Sequence, residues 1–291
     1  MNPPVRRNLS LPEGCVSHLD WSGDGPFLHF AHATGFNAET YRGLLSPLTG
    51  QMRMTASDLR GHGFSTLPAT PGTASGWTIY RDDLIRILEG LNKGPAILSG
   101  HSMGGTVSLM VAALRPDLVS GLVLVEPVLI PSFAWVFQFL AKVRGVNPGP
   151  NLADRAEQRR DYFPSFEAAL TAYTGRGAFR TWQTETIADY LRGGLITDPA
   201  SGQVKLACTP AWEAETFRST PYGLARLIRR INCQVTLIYG TVGSTCRESE
   251  ARIFQRAGAH VVKADGASHF LPMEYPDLVQ HEIERLAREV K

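Results

Sequence analysis

The sequence predicts an α/β fold, a mostly parallel sheet flanked by helices and interrupted once by a helical insertion. Three observations carry that expectation. Short apolar runs bounded by glycine alternate with amphipathic segments, which is the rhythm of strands feeding crossover helices. The rhythm stops after Pro127, gives way to an aromatic-rich stretch, and resumes near residue 235. One of the apolar runs ends in Gly100-His101-Ser102-Met103-Gly104 and passes at once into a helical pattern.

In order, residues 27–33 read as a buried strand, 38–48 as a helix and 52–58 as a strand. Residues 77–91 read as a helix whose apolar face is Ile79, Leu84, Ile87, Leu88 and Leu91. Residues 96–100 form the next strand, and 104–114 a helix stopped ahead of Pro116, because the residue before a proline avoids helical geometry. Residues 119–125 form a fourth core strand. From 130 to 228 the pattern is helical, punctuated by glycine and proline, with Phe133, Trp135, Phe139, Trp182 and Trp212 among its rings. Strands at 235–239 and 260–264, with helices at 248–257 and 278–290, complete the core. The expected domains are therefore a core of residues 1–129 and 229–291 and a helical cap of residues 130–228.

Composition sets the outer limits. With 291 residues, 43% hydrophobic and 19% charged, the chain can bury a large core, which excludes a disordered tail or a disulfide knot. Lys and Arg total 29 against 27 Asp and Glu, a net +2 without long runs of one sign, so no nucleic-acid footprint is present. Cys15, Cys208, Cys233 and Cys246 are scattered without metal spacing and read as reduced thiols. The first residues lack the apolar stretch of a secretory signal, and no apolar run reaches the ~20 residues of a membrane span. The expectation is a soluble cytoplasmic protein with no cofactor and no metal.

The G-x-S-x-G run carries the chemistry. A serine in so sharp a turn needs small neighbours, hence Gly100 and Gly104, and the turn lifts the Ser102 hydroxyl above the sheet. The turn also places the Met103 N–H at the N-terminus of the following helix, ready to receive an oxyanion.

At this point the chain resembles the α/β-hydrolase family, from about residue 27 to residue 290 apart from the insertion. The resemblance rests on the elbow and on three further stretches: His32-Ala33-Thr34-Gly35-Phe36, Asp58-Leu59-Arg60-Gly61-His62-Gly63, and Gly266-Ala267-Ser268-His269-Phe270 followed by Glu274 and Pro276. It implies Ser102 as nucleophile and His269 as general base, in the order Ser, acid, His. It also implies a second oxyanion donor at the Thr34 amide, with Ala33 and Gly35 the alternatives in a loop shifted by one. His32 and His62 are expected to fix loops, and His101 to point away from the serine.

The acid departs from the family's pattern. The usual aspartate position, three residues after Gly240, is occupied by Gly243. Glu126, 24 residues after Ser102 at the end of the strand that follows the elbow helix, is the assigned acid, with Glu248 in reserve.

A serine nucleophile points to acyl chemistry rather than to the aspartate-based reactions of similar folds. The aromatic cap suggests an apolar or aryl acyl group, with Phe133, Trp135 and Phe139 as candidate pocket residues. Arg155, Arg159, Arg160, Arg176 and Arg180 read as a solvated helix face, with recognition of a carboxylate as the alternative. The expected activity is carboxylic-ester hydrolysis on a small-molecule substrate. A carbon–carbon hydrolase acting on a diketone and a non-catalytic hydrolase-like receptor are the alternatives.

Overall fold

A computed structural model describes residues 3–134 and 151–290. Eight strands form one sheet: β1 (Val5–Leu11), β2 (Gly14–Trp21), β3 (Phe27–Ala31), β4 (Arg53–Ser57), β5 (Ala96–His101), β6 (Val119–Val125), β10 (Gln234–Val242) and β11 (His260–Ser268). Their order is β1-β2-β4-β3-β5-β6-β10-β11. The β1/β2 and β2/β4 pairs are antiparallel and every later pair is parallel. The chain is an α/β hydrolase in architecture, as its sequence pattern predicts.

Both faces of the sheet are covered, so its central strands are mostly apolar; every residue of β3 and β5 is buried, His29, Ser99 and His101 included. Side chains alternate across the sheet. Leu98, Leu122 and Leu124 face one layer, built from α2 (Thr78–Leu91), α3 (Met103–Leu114) and α8 (Glu248–Arg256). Ile97, Val123 and Val125 face the other, built from α1 (Arg42–Leu45) and α10 (Pro276–Glu289), with Leu45, Val279, Ile283 and Leu286 as its apolar stripe. The short α9 (Leu271–Glu274) precedes α10.

Between β6 and β10 lie α4 (Leu152–Glu157), β7 (Tyr162–Phe163), α5 (Phe166–Tyr173), α6 (Thr184–Gly194), β8 (Leu195–Thr197), β9 (Val204–Leu206) and α7 (Pro210–Arg218). The three short strands form a separate sheet in the order β7-β9-β8, which an all-helical reading of this stretch misses. The inserted segment is bonded to the core at several points. Asn37 donates to the Tyr190 carbonyl at 2.9 Å, the Trp77 indole to the Thr216 carbonyl at 2.8 Å, and the Trp212 indole to the Arg60 carbonyl at 3.0 Å.

Three local differences from the sequence reading have physical causes. The β1/β2 hairpin is unexpected because β1 is an edge strand with exposed charge, and its alternation is weak. The helix expected over residues 38–48 is a 3₁₀ turn, one α-turn and a second 3₁₀ turn, with Pro47 withholding an N–H from the last. Strands β10 and β11 run three and four residues beyond the expected ends, to Val242 and Ser268, because the two strands keep pairing as they approach the site.

Candidate active site

The elbow forms because nothing larger than glycine fits around it. A Cβ on Gly104 would lie inside the contact radius of the Ala31 carbonyl, and one on Gly100 would sit 2.5 Å from the Gly104 backbone. Ser102 itself takes φ 56°, ψ −118°, a conformation that costs on the order of 1–3 kcal/mol and is held by the packed turn. Its N–H donates to the Val125 carbonyl at 3.0 Å, and Thr106 on the next turn bonds the Val128 carbonyl at 3.0 Å. The nucleophile turn is thus fastened to the end of β6.

There Glu126 follows β6 with its own left-handed backbone, φ 49°, and its side chain is fully buried. An unpaired buried carboxylate would cost several kcal/mol. This one is surrounded by donors from the end of β10: the Gly240 N–H, the Ser244 hydroxyl at 2.8 and 2.9 Å from its two oxygens, and the Thr245 N–H at 3.2 Å. Its Oε2 also lies 3.1 Å from His269 Nδ1, and His269 Nε2 lies 3.0 Å from Ser102 Oγ.

The structure therefore brings Ser102, His269 and Glu126, which follow β5, β11 and β6, into one hydrogen-bonded row at the same end of the sheet. Glu248 is not part of it: it lies on the surface at the start of α8 and pairs with Arg252. Gly243 takes φ 62° at an open position, with no atom within 4 Å of a Cβ placed there. The His269 loop is braced from behind by Glu274, which accepts from the Ser268 N–H and hydroxyl, both at 2.8 Å.

The amides of the loop after β3 can be accounted for one by one. In the loop after β3 the Ala33 N–H goes to the Tyr41 hydroxyl at 3.1 Å, the Gly35 N–H to His62 Nε2 at 3.0 Å, and the Phe36 N–H to the Ala33 carbonyl at 3.1 Å. Of the three candidate amides, Ala33, Thr34 and Gly35, that of Thr34 alone has no partner among the described residues, so the other two are engaged elsewhere. The Thr34 hydroxyl meets Met103 Sδ at 3.5 Å, which sets the loop beside the first turn of α3, where the Met103 N–H has no intrahelical acceptor.

His32 and His62 fix this loop. His32 Nε2 accepts the Leu59 N–H at 2.8 Å as His62 Nε2 accepts that of Gly35. Burial lowers His32 to about 4 and His62 to about 3, so both stay neutral acceptors.

His101 does turn from the serine, and it has a task the sequence does not disclose. Its Nε2 lies 2.7 Å from the His269 carbonyl and its Nδ1 2.8 Å from the Tyr41 hydroxyl. A carbonyl can only accept, so Nε2 carries the proton, and Tyr41 donates to Nδ1. Burial, and then the charge of His269, hold His101 well below the usual histidine range. Its position between Gly100 and Ser102 is its only signal in the sequence.

Of the expected pocket residues, Phe133 lies on the surface with 58% exposure, and Trp135 and Phe139 lie outside the described residues. The rings placed near the site are others. Phe270 sits 5.8 Å from His269, Phe36 stacks on Phe270 at 6.4 Å, and Trp182 from the insertion meets both edge-on at 5.7 and 5.4 Å. Phe36 and Phe270 are each the last residue of a recognised stretch, which is the cue that could have found them.

Arg159 departs from the solvated face expected of the arginines. It bonds Glu213 at 2.6 Å and the hydroxyls of Tyr173 and Tyr190, both at 2.8 Å, against Gly35. A Cβ on Gly35 would collide with the Glu213 carboxylate, so this ion pair braces the loop after β3 from the insertion side.

Fold, elbow and hydrogen-bonded row together define the class: the chain belongs to the alpha/beta hydrolase family, whose profile matches residues 30–281. Its similarity extends to particular members. It is 32% identical over 278 residues to an esterase of Mycobacterium tuberculosis, covering 92% of this chain and 85% of that one. It is 26% identical over 260 residues to the 2-(acetamidomethylene)succinate hydrolase of Mesorhizobium japonicum, covering 88% and 86%. Among solved structures, E-2-(acetamidomethylene)succinate hydrolase superposes with a TM-score of 0.79 at 23% identity, covering 98% of this chain and 99% of that one. The thioesterase domain of the curacin biosynthetic pathway follows at 0.74 and 20% identity, covering 97% and 100%. No helix among the described residues is long and apolar enough to cross a membrane.

Proposed function

We propose that this chain is a serine hydrolase of small carboxylic esters bearing an apolar or aryl acyl group. The observation that carries the reading is the row Ser102, His269, Glu126, with links of 3.0 and 3.1 Å. His269 Nε2 takes the Ser102 proton as Oγ attacks the ester carbonyl, and Glu126 stabilises the imidazolium through Nδ1–H. The N–H groups of Met103 and Thr34 receive the negative oxygen. His269 then protonates the departing alcohol, and water, deprotonated by the same histidine, releases the acid from Ser102.

Phe36, Phe270 and Trp182 supply the apolar wall, and the described part of the insertion, residues 151–228, acts as a cap over it. The similarity to a mycobacterial esterase supports ester chemistry, and no separate cofactor is required. A receptor would have no use for a base aimed at its serine, whereas a diketone hydrolase would use the same three residues and differ in its product.

The test is labelling by a fluorophosphonate together with turnover of p-nitrophenyl esters of graded acyl length. Ser102→Ala should lose the label and at least about 10⁴ of the rate while keeping its thermal midpoint. Turnover near wild type in that variant would refute the assignment.

A further inference from the structure

The acid row has a fourth member that the catalytic assignment does not use. Thr245 Oγ1 lies 3.2 Å from His269 Nδ1, against 3.1 Å for Glu126 Oε2. The same hydroxyl is 3.0 Å from the Glu126 carbonyl and 3.3 Å from that of Pro127. A hydroxyl has one hydrogen and two lone pairs. Both carbonyls can only accept, so the Thr245 hydrogen goes to one of them and a lone pair is left facing His269. If His269 is to offer an unprotonated Nε2 to Ser102, its own hydrogen sits on Nδ1, between Glu126 and Thr245.

We propose that Thr245 is a positioning residue that shares the Nδ1 proton of His269 with Glu126, fixing the tautomer and the ring plane. The proposal rests on the serine-hydrolase reading. It gives the loop after β10 a direct part in the relay although its usual aspartate position holds Gly243. Thr245 is held for the task at both ends: its carbonyl accepts from the Leu129 N–H at 3.4 Å and its N–H donates to Glu126. The proton stays on His269 Nδ1 throughout, and Thr245 neither gains nor loses one.

Thr245→Val keeps the side-chain shape and removes the lone pair, whereas Thr245→Ser keeps the hydroxyl. The valine variant should lose about tenfold in kcat with KM unmoved, the rate equivalent of one hydrogen bond to a charged group. The serine variant should return to within about twofold, and the downfield Nδ1 proton resonance should shift in the valine variant and return in the serine one. In a Glu126→Ala background, where Thr245 is the remaining acceptor, adding the valine should cost more than it does alone. Unchanged kcat in Thr245→Val overturns the proposal, and so do equal losses in both single variants accompanied by a lower thermal midpoint. Failure of the wild-type protein to take a fluorophosphonate label would remove the serine-hydrolase reading itself, independently of Thr245.

Discussion

The ends of β6 and β10 face one another across His269 and contribute opposite things. The end of β6 supplies a single buried carboxylate, Glu126, on a backbone bent into the left-handed region. The end of β10 supplies no carboxylate and four polar groups, the Gly240 and Thr245 amides and the Ser244 and Thr245 hydroxyls. Because the two strands are neighbours in the sheet, a charge on one and its solvation shell on the other reach the same histidine. The acid and its support need not share a loop, provided the loop without the acid keeps its donors.

Removing the charge is the harshest test of this division. In Glu126→Gln the amide NH₂ must face either the Gly240 N–H or the Thr245 N–H and His269 Nδ1, so one donor always meets another. We expect a kcat loss of about 10⁴-fold with KM little changed in steady-state ester hydrolysis. Glu248→Gln, on the surface and clear of the row, should remain at wild-type rate. The reverse outcome in these two variants would move the acid to α8.

Placing the carboxylate on the other strand end sharpens the comparison. Gly243→Asp in the Glu126→Gln background meets open space at an αL backbone, which an aspartate tolerates at roughly 1 kcal/mol. A recovery of about tenfold over Glu126→Gln alone is expected in kcat. No recovery would mean that the loop after β10 can hold an acid but cannot present one.

Stripping the support should cost less than removing the acid. Ser244→Ala takes away the hydroxyl that bridges the two carboxylate oxygens, and about 1–2 kcal/mol of stability with it. Denaturant unfolding should detect that loss, alongside a fall in kcat of about tenfold. A variant as stable and as fast as wild type would show that the amides alone suffice.

A test by pH sets the loop after β3 apart from both strand ends. His32 and His62 titrate lower in the folded chain, about 4 and about 3, than the usual 6.5 of an unfolded histidine. Their contribution is complete above 6.5 and is lost as pH falls toward the folded values, by up to roughly 1.4 kcal/mol per pH unit for each. Unfolding free energies measured from pH 7 to 4 should fall with that sign, and replacing His62 by Gln should flatten the slope.

Much of this was legible in the chain. The parallel strands and their helices announce themselves because strands covered on both faces are nearly all apolar, as in residues 96–100 and 119–125. Gly100 and Gly104 mark the elbow by a steric demand that no other residue meets. Glu126 could be singled out because it ends a strand next to an empty acid position. Its left-handed backbone and the donors around it are tertiary and leave no local pattern. The same holds for Phe36 and Trp182, which meet only because α6 docks on the loop after β3, and for Arg159, whose partners lie 14 to 54 residues away. The small sheet β7-β9-β8 escaped because two or three residues are too few to show a period.

The hydrogen bonds from Ala33 through Tyr41 and His101 to His269 run in one sense only, since an amide begins the series and a carbonyl ends it. Such a series has no second arrangement: turning any one donor around would leave its neighbours facing like with like. A proton forced onto His101 would therefore disturb the loop that holds Thr34 and the backbone that carries His269 at the same moment. The two halves of the site, on either side of the serine, share one point of failure.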